Sequence, residues 1–371
     1  MNPAAQDAAR HFAQSYAEAR AKFLAAAEGA GLDVASHVHP LRGRDGEELA
    51  MDVVRDGPAD AEGLLIVSSA CHGVEGYCGS GVQVALLQDA AFRAAAREAR
   101  VAVLHIHALN PYGFSWWRRT TQENVDLNRN FQDFSRGLPI NMGYDTIAHW
   151  LVPETWPPPP EIEAKLDRFS REMGAAITHE AISGGQYAHP EGLFYGGLNP
   201  TWSHVTLRHV LREEATRCKR LAWIDLHTGL GPAGVGERIF ACRDDAAALA
   251  RARDWWGEGI TSIYDGSSSS APLTGLMWLA AYEEAPQAEY TGIALEYGTL
   301  SLEDTLDALR ADQWLENHPQ TDEATRRRIK QQLRDAFYID SDDWKRRILE
   351  QAFEAASQAV RGLAAPSAQP A

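Results

Sequence analysis

The sequence predicts an α/β fold in one domain, with a mostly parallel mixed central sheet flanked by helices, and three observations carry that reading. Short apolar runs suited to buried strands, among them EGLLIVSSA, ARVAVLHIHALNP, RLAWIDLHTGLG, ERIFACR and TGIALEYGT, recur along the chain, separated by helical or polar stretches. The first two enclose SGVQVALLQDAAFRAAAREA, which has helical periodicity, and strand, loop, helix, strand is the βαβ order of a parallel pair. Thirdly, His72, Glu75, Asn110, His227 and Glu296 follow or close such runs. That is the edge at which open α/β sheets bind ligands.

The elements follow in order. Alanines and aromatic residues at helical spacing in MNPAAQDAARHFAQSYAEARAKFLAAAEGAG predict an N-terminal surface helix, and GEELAMDVVRDG reads as the strand before EGLLIVSSA. Between about 133 and 219 the texture changes. WPPPP ends any preceding helix in an extended segment, EIEAKLDRFSREMGAAITHEAI reads as a helix, and the glycine- and aromatic-rich GGQYAHPEGLFYGGLNPTWS leads into another. Strands of the earlier character resume afterwards, so this block is an insertion in one domain spanning 1–364. The small, polar residues 365–371 read as a disordered tail.

Charge and composition exclude several function classes. Fifty-one acidic against 35 basic residues give a net charge of −16 with no basic run, which argues against nucleic acid and anionic membrane as partners. No apolar run approaches the roughly 18 residues of a membrane span, and the N-terminus lacks the uninterrupted apolar core of a signal peptide. A cytoplasmic protein is expected. Four cysteines in 371 residues do not make a disulfide scaffold,. Cys71 and Cys78 flank the stretch HGVEGY and read either as metal ligands or as small buried hydrophobes, the latter being the commoner fate of a free cysteine.

The stretch ACHGVEGYCGSG holds His72 and Glu75 three residues apart among glycines at 73, 76 and 79, which let a loop fold tightly. HxxE alone is a weak metal signal. With His227 ending a later strand it becomes two histidines and a carboxylate, the set that a catalytic zinc site uses while leaving a position for water. NPYGFSWWRRTTQENVDLNRNF then places Arg118, Arg119, Asn128 and Arg129 beside Trp116, Trp117 and Phe131. Arginine suits bidentate capture of a carboxylate and stabilisation of an oxyanion. Two alternating pairs, His37 with His39 and His105 with His107, read as packing residues, and His179, His189, His204 and His209 of the insertion carry no functional pattern.

The order HGVEG, WWRR, VDLNRNF, DLH, ALEYGT, from about Ala70 to Leu300, resembles the zinc metallocarboxypeptidase superfamily. It is also similar to its deacylase branch of succinylglutamate desuccinylase and aspartoacylase, and most of all to a bacterial branch known as a domain of unknown function. The resemblance implies a carboxypeptidase-like, phosphorylase/hydrolase-like fold and one zinc ion held by His72, Glu75 and His227. It makes Glu296 the general base, Arg118 the arginine that polarises the scissile carbonyl, and Asn128 with Arg129 the grip on a substrate carboxylate. Asp126 would orient the first zinc histidine. Asp225, two residues before His227 on a strand and so on the same face, is a second candidate for orienting a ligand. The family's mobile tyrosine has no motif here; Tyr264 is a positional candidate.

On this reading the zinc lowers the pKa of a bound water to roughly 7, Glu296 handles its proton, and the arginine stabilises the oxyanion. The substrate is a small peptide or an N-acyl amino acid, cut by a peptidase or by a deacylase. A catalytically inactive binding protein on the same fold is the third alternative, which Glu296 disfavours. The insertion is expected to cover the site and exclude long peptides.

Overall fold

The computed structural model describes residues 7–364; the expected disordered tail at 365–371 lies outside them. Seven strands form one sheet: β1 (Val34–Arg42), β2 (Glu48–Asp56), β3 (Gly63–Ser68), β4 (Val101–His107), β5 (Arg220–Ala233), β6 (Gly236–Phe240) and β7 (Glu289–Gly298). Their order is β1-β2-β4-β3-β5-β7-β6. The four central strands run parallel, whereas β1, β2 and β6 pair antiparallel to their neighbours at the two sides. Every residue of β3 and β4 is buried, as expected of parallel strands covered on both faces. From β3 the chain steps outward to β4 on one side, and from β5 to β7 on the other. The crevice between β3 and β5 is therefore the point where strand order reverses and a ligand site is expected.

Two of the long helical readings are broken by single residues. The segment after the opening motif divides into Gly76–Gln88 and Ala90–Glu98 because Asp89 leaves the helical region (ψ 98°) and its carboxylate accepts the Phe92 N–H, an N-cap. The insertion helix likewise becomes Pro160–Met173 and Ala175–Ser183 around Gly174, whose φ of +85° only glycine adopts readily,. Pro160, last of the four prolines, is the first residue of its helix, where a missing N–H costs nothing. At the N-terminus a short 3-10 turn, Ala8–His11, precedes the helix Tyr16–Gly29, which Ser15 caps.

The glycines of ACHGVEGYCGSG act by close packing. Gly73 to Glu75 form a 3-10 turn and Gly76 opens a helix, so the stretch is mostly helical. A Cβ on Gly73 would stand 2.1 Å from the Gly113 carbonyl carbon, one on Gly76 2.6 Å from the Phe114 ring, and one on Gly79 2.6 Å from Ser69 Cβ. The turn carrying His72 and Glu75 is thereby pressed onto the segment that carries the arginines.

Two hydrophobic clusters matter for the site. The main one spans both faces of the sheet and includes the helix Asp342–Ala364. The second joins Val74 to insertion residues Tyr144, Ile147 and Phe194 and to Leu309, Leu333 and Phe337 of the helices Leu302–Asn317 and Glu323–Phe337. No described helix is long and apolar enough to cross a membrane.

Gly73→Ala is expected to destabilise the fold by about 1–3 kcal/mol, the usual penalty of overpacking, and to lower metal content. Gly29→Ala, which meets nothing within 4 Å, should be neutral or slightly stabilising. Thermal melts and elemental analysis of the two variants check this.

Candidate metal centre

Three strand ends deliver the polar residues to one place. After β3 the chain turns through buried Ala70 in the left-handed region (φ +58°), and the Asn110 N–H donates to the Ala70 carbonyl at 2.9 Å. His72 and Glu75 follow at once. In the parallel ladder of β5 and β7, His227 is the register partner of Glu296, and between β3 and β5 Ser68 is the partner of Asp225. Side-chain alternation turns Asp225 and His227 to the same face.

His72, Glu75 and His227 are buried and offer one ligand atom each, all within 4.8 Å of one another. Glu75 Oε2 accepts the Thr228 N–H at 3.1 Å and stands 3.2 Å from His227 Nδ1. The other His227 nitrogen, Nε2, is 2.6 Å from Asp225 Oδ2, and the Ser68 hydroxyl donates to Asp225 while accepting from Trp223 Nε1. For His72, Nε2 accepts from Arg119 Nη2 at 2.7 Å. His72 Nδ1 is buried without a hydrogen bond, and the nearest carboxylate oxygen, Asp126 Oδ1, is 3.5 Å away.

Electrostatics separates the two imidazoles. Burial and the Arg119 guanidinium hold His72 well below the usual histidine range, hence neutral, as a ligand must be,. Burial also opposes the charged form of His227, but Asp225 and Glu75 outweigh it and hold its pKa well above the ordinary value. Two imidazoles and one carboxylate, with Asp225 hydrogen-bonded to His227 and Asp126 standing 3.5 Å from His72 Nδ1, fit a divalent cation of zinc's preferences,. These residues could hold a metal ion. Glu296, also facing this cavity, accepts the Leu230 N–H at 3.0 Å. Burial, reinforced by the Glu75 charge, pushes it up to about 8.

Asn128 and Arg129 reach the same cavity of about 320 Å³. The Arg129 guanidinium donates to the carbonyls of Ser183 and Asn128, and among the described residues the only carboxylate paired with it, on Asp126, is 3.9 Å away. It is a buried cation with neutral hydrogen-bond partners. Asn128 Oδ1 accepts the Met277 N–H at 2.9 Å. Asp126 lies between the arginines and His72, accepts from Arg119 Nε at 3.0 Å, and is kept well below the usual carboxylate range because Arg119 overcomes the opposing effect of its burial.

At the arginine pair the structure departs from the motif. Arg118 does not face the cavity: its guanidinium donates to Asn124 Oδ1 at 2.8 Å and stands 3.6 Å from Glu316, within an ionic group that includes Lys330 and Asp312. Arg119 enters instead, 3.2 Å from Glu75. Trp117 is left-handed (φ 53°, ψ 58°) and the Arg118 N–H closes onto the Gly113 carbonyl, which sends consecutive side chains to opposite sides. Tyr264 is likewise outside the cavity, its hydroxyl donating to the Cys242 carbonyl; its neighbour Ile263 lines it. His179 of the insertion, without a motif, is a cavity residue. Cys71 and Cys78 are free and buried in the main core. Cys71 also forms a second possible ligand group with Asp225 and His227.

Residues 12–351 match the family described as "Protein of unknown function (DUF2817)". The chain belongs to the DUF2817 family. A search of curated proteins gave no match for this DUF2817 protein. Bovine thrombin-activatable fibrinolysis inhibitor, solved in complex with tick carboxypeptidase inhibitor, is similar at a TM-score of 0.51 and 11% identity, over 95% of this chain and 98% of that one. Carboxypeptidase A from Helicoverpa armigera gives 0.48 at 12% identity over 95% and 74%. An aspartoacylase family protein from Mesorhizobium loti gives 0.35 at 15% over 76% and 66%. At a TM-score of 0.51 the DUF2817 chain shares the fold of the bovine fibrinolysis inhibitor.

Glu296 and His227 both favour their protonated forms in the folded chain, so their stabilising contribution is complete below their ordinary values. It is lost as pH rises, for Glu296 between about 4.5 and 8,. Metal-stripped protein is expected to lose stability across that window, and Glu296→Gln to flatten the decline. Chemical denaturation from pH 5 to 9 measures both slopes.

Proposed function

We propose that the protein is a zinc-dependent hydrolase that cleaves an amide bond beside a free carboxylate in a small substrate, a short peptide or an N-acyl amino acid. One observation carries the reading: the two-histidine, one-carboxylate set shares its cavity with a high-pKa glutamate and with a buried arginine whose hydrogen bonds go to neutral groups. Insertion residues Thr178, His179, Ile182 and Phe194 form part of the cavity wall, which favours small substrates over long chains.

Zinc, held by His72, Glu75 and His227, would supply a charge that acidifies water and polarises a carbonyl. Glu296, with Oε1 held by the Leu230 N–H, takes a proton from the attacking water and delivers it to the leaving nitrogen. Arg119, anchored through Nε to Asp126, turns its outer nitrogens from Glu75 and His72 to the developing oxyanion. Arg129 binds the substrate carboxylate, with Asn128 beside it. Asp126 and Asp225 hold the two imidazoles in orientation.

The primary test compares zinc content and hydrolysis of a mixed peptide and N-acyl amino acid set for wild type and His72→Ala. Near-stoichiometric zinc, lost together with hydrolysis in the variant, supports the reading; a wild type that takes up no zinc on reconstitution refutes it. Glu296→Gln should retain zinc and lose about 10²–10⁴ in kcat. Arg119→Met should lose about 10²–10³, whereas Arg118→Met should lower the melting temperature and leave kcat within about threefold, a loss of well under 1 kcal/mol of barrier stabilisation.

A further inference from the structure

We propose that His179, carried by the insertion, is a substrate-binding residue whose imidazole donates a hydrogen bond to the same carboxylate that Arg129 binds. The inference rests on the hydrolase reading for the carboxylate and adds to the site a residue that no motif in the sequence marks.

The helix Ala175–Ser183 is fastened to Arg129 by its last residue. Arg129 Nε and Nη2 donate to the Ser183 carbonyl at 3.1 and 2.6 Å, and such a terminal carbonyl has no partner inside its own helix. His179 stands one turn earlier, and its own carbonyl accepts the Ser183 hydroxyl at 2.8 Å. Residues four apart share a helix face, with Cβ atoms about 5–6 Å apart. The bond that positions Arg129 therefore also brings His179 to the arginine, and both line the cavity. Burial and then the Arg129 charge lower the His179 pKa, which leaves a neutral imidazole with one N–H to donate.

His179 differs from its neighbours in having no structural partner. The Thr178 and Ser183 hydroxyls turn back to their own helix, onto the carbonyls of Gly174 and His179. His189 pairs with Asp145, His204 with Asn130 and Arg208, and His209 with Glu213. Among the described residues neither His179 nitrogen has a hydrogen bond or an ion pair, although the side chain is half-buried.

The arginine by itself does not satisfy a bound carboxylate. A guanidinium carries five N–H groups and a carboxylate offers about four lone-pair sites. Three of the five are used on the Ser183 and Asn128 carbonyls, so two remain for a ligand. A carboxylate taken out of water is costly unless its other lone pairs also find donors. His179 supplies one from the helix that Arg129 already holds.

The test measures binding to the full zinc-loaded chain by calorimetry, with 3-phenylpropionate and its neutral counterpart 3-phenylpropanamide as probes. His179→Leu should weaken the carboxylate about 10- to 100-fold, the range of a hydrogen bond to a charged group, and the amide by about fivefold or less. The melting temperature should not change, since no partner is lost. Asparagine and glutamine place an amide N–H near the two imidazole nitrogens, so His179→Asn or His179→Gln should recover the carboxylate affinity to within about threefold. Equal weakening of both probes, no change in either, or recovery in neither amide variant overturns the assignment. For any N-acyl amino acid that the wild type hydrolyses, His179→Leu should raise KM by the same factor and keep kcat within about threefold. If the wild type hydrolyses nothing while carboxylate binding depends on His179 as stated, the hydrolase reading falls and His179 stands as a carboxylate-binding residue. Hydrolysis together with probe binding that ignores the substitution overturns the role of His179 and leaves the hydrolase reading intact.

Discussion

The Glu75 carboxylate ties the site together. One of its oxygens takes the Thr228 N–H and faces His227, the other takes Arg119, so the turn after β3, the end of β5 and the arginine loop all meet on two atoms. Full burial of a carboxylate in an apolar interior is tolerated only when it is paired and hydrogen-bonded. Removing any one partner would leave the others facing an uncompensated charge. The position of Glu75 is itself set by contact: the turn that carries it rests on the Gly113–Phe114 backbone at Gly73 and on the Phe114 ring at Gly76, because neither glycine has a side chain.

Sheet topology explains why this junction lies in a crevice. The chain leaves β3 toward one edge of the sheet and leaves β5 toward the other, so the connections that would otherwise cover the ends of adjacent parallel strands diverge there. The His227 and Glu296 pairing is a ladder register, and a slip of one residue in either strand would turn that strand's side chain to the opposite face. Behind them, the run Trp223, Ser68, Asp225, His227 is a buried chain of hydrogen bonds, the kind of support that holds an imidazole in one orientation.

The crevice between β3 and β5 is bounded by segments outside the sheet as well. The insertion and the C-terminal helices close it by building a second hydrophobic cluster around Val74, Phe194, Leu309 and Phe337. Arg118 belongs to that closure. Its ion pair with Glu316, next to the Lys330 pairs with Asp312 and Glu316, fastens the arginine loop to the helices Leu302–Asn317 and Glu323–Phe337. Adjacent arginines thus divide two tasks, one holding the loop and the other facing the cavity.

The sequence alone specified strands β2 to β7, the mostly parallel character of the sheet and the placing of His72, Glu75, His227 and Glu296 at strand ends, because these follow from periodicity and from position along the chain. Local breaks at Asp89 and Gly174 were less legible, since apolar periodicity runs through both. Tertiary structure decided what depends on the direction of single side chains and on contacts between distant segments. It turned Arg119 to the cavity and Arg118 to Glu316, through the left-handed backbone of Trp117; the pair RR offers no period that distinguishes them. It made His179 and Ile263 into cavity wall and gave Tyr264 to a backbone carbonyl. It also made Gly73 and Gly76 packing residues, because the atoms that exclude a Cβ there come from Gly113 and Phe114, some forty residues along the chain. A pattern read along the chain encodes which face a residue takes, while the neighbour it meets there is set only when the segments pack.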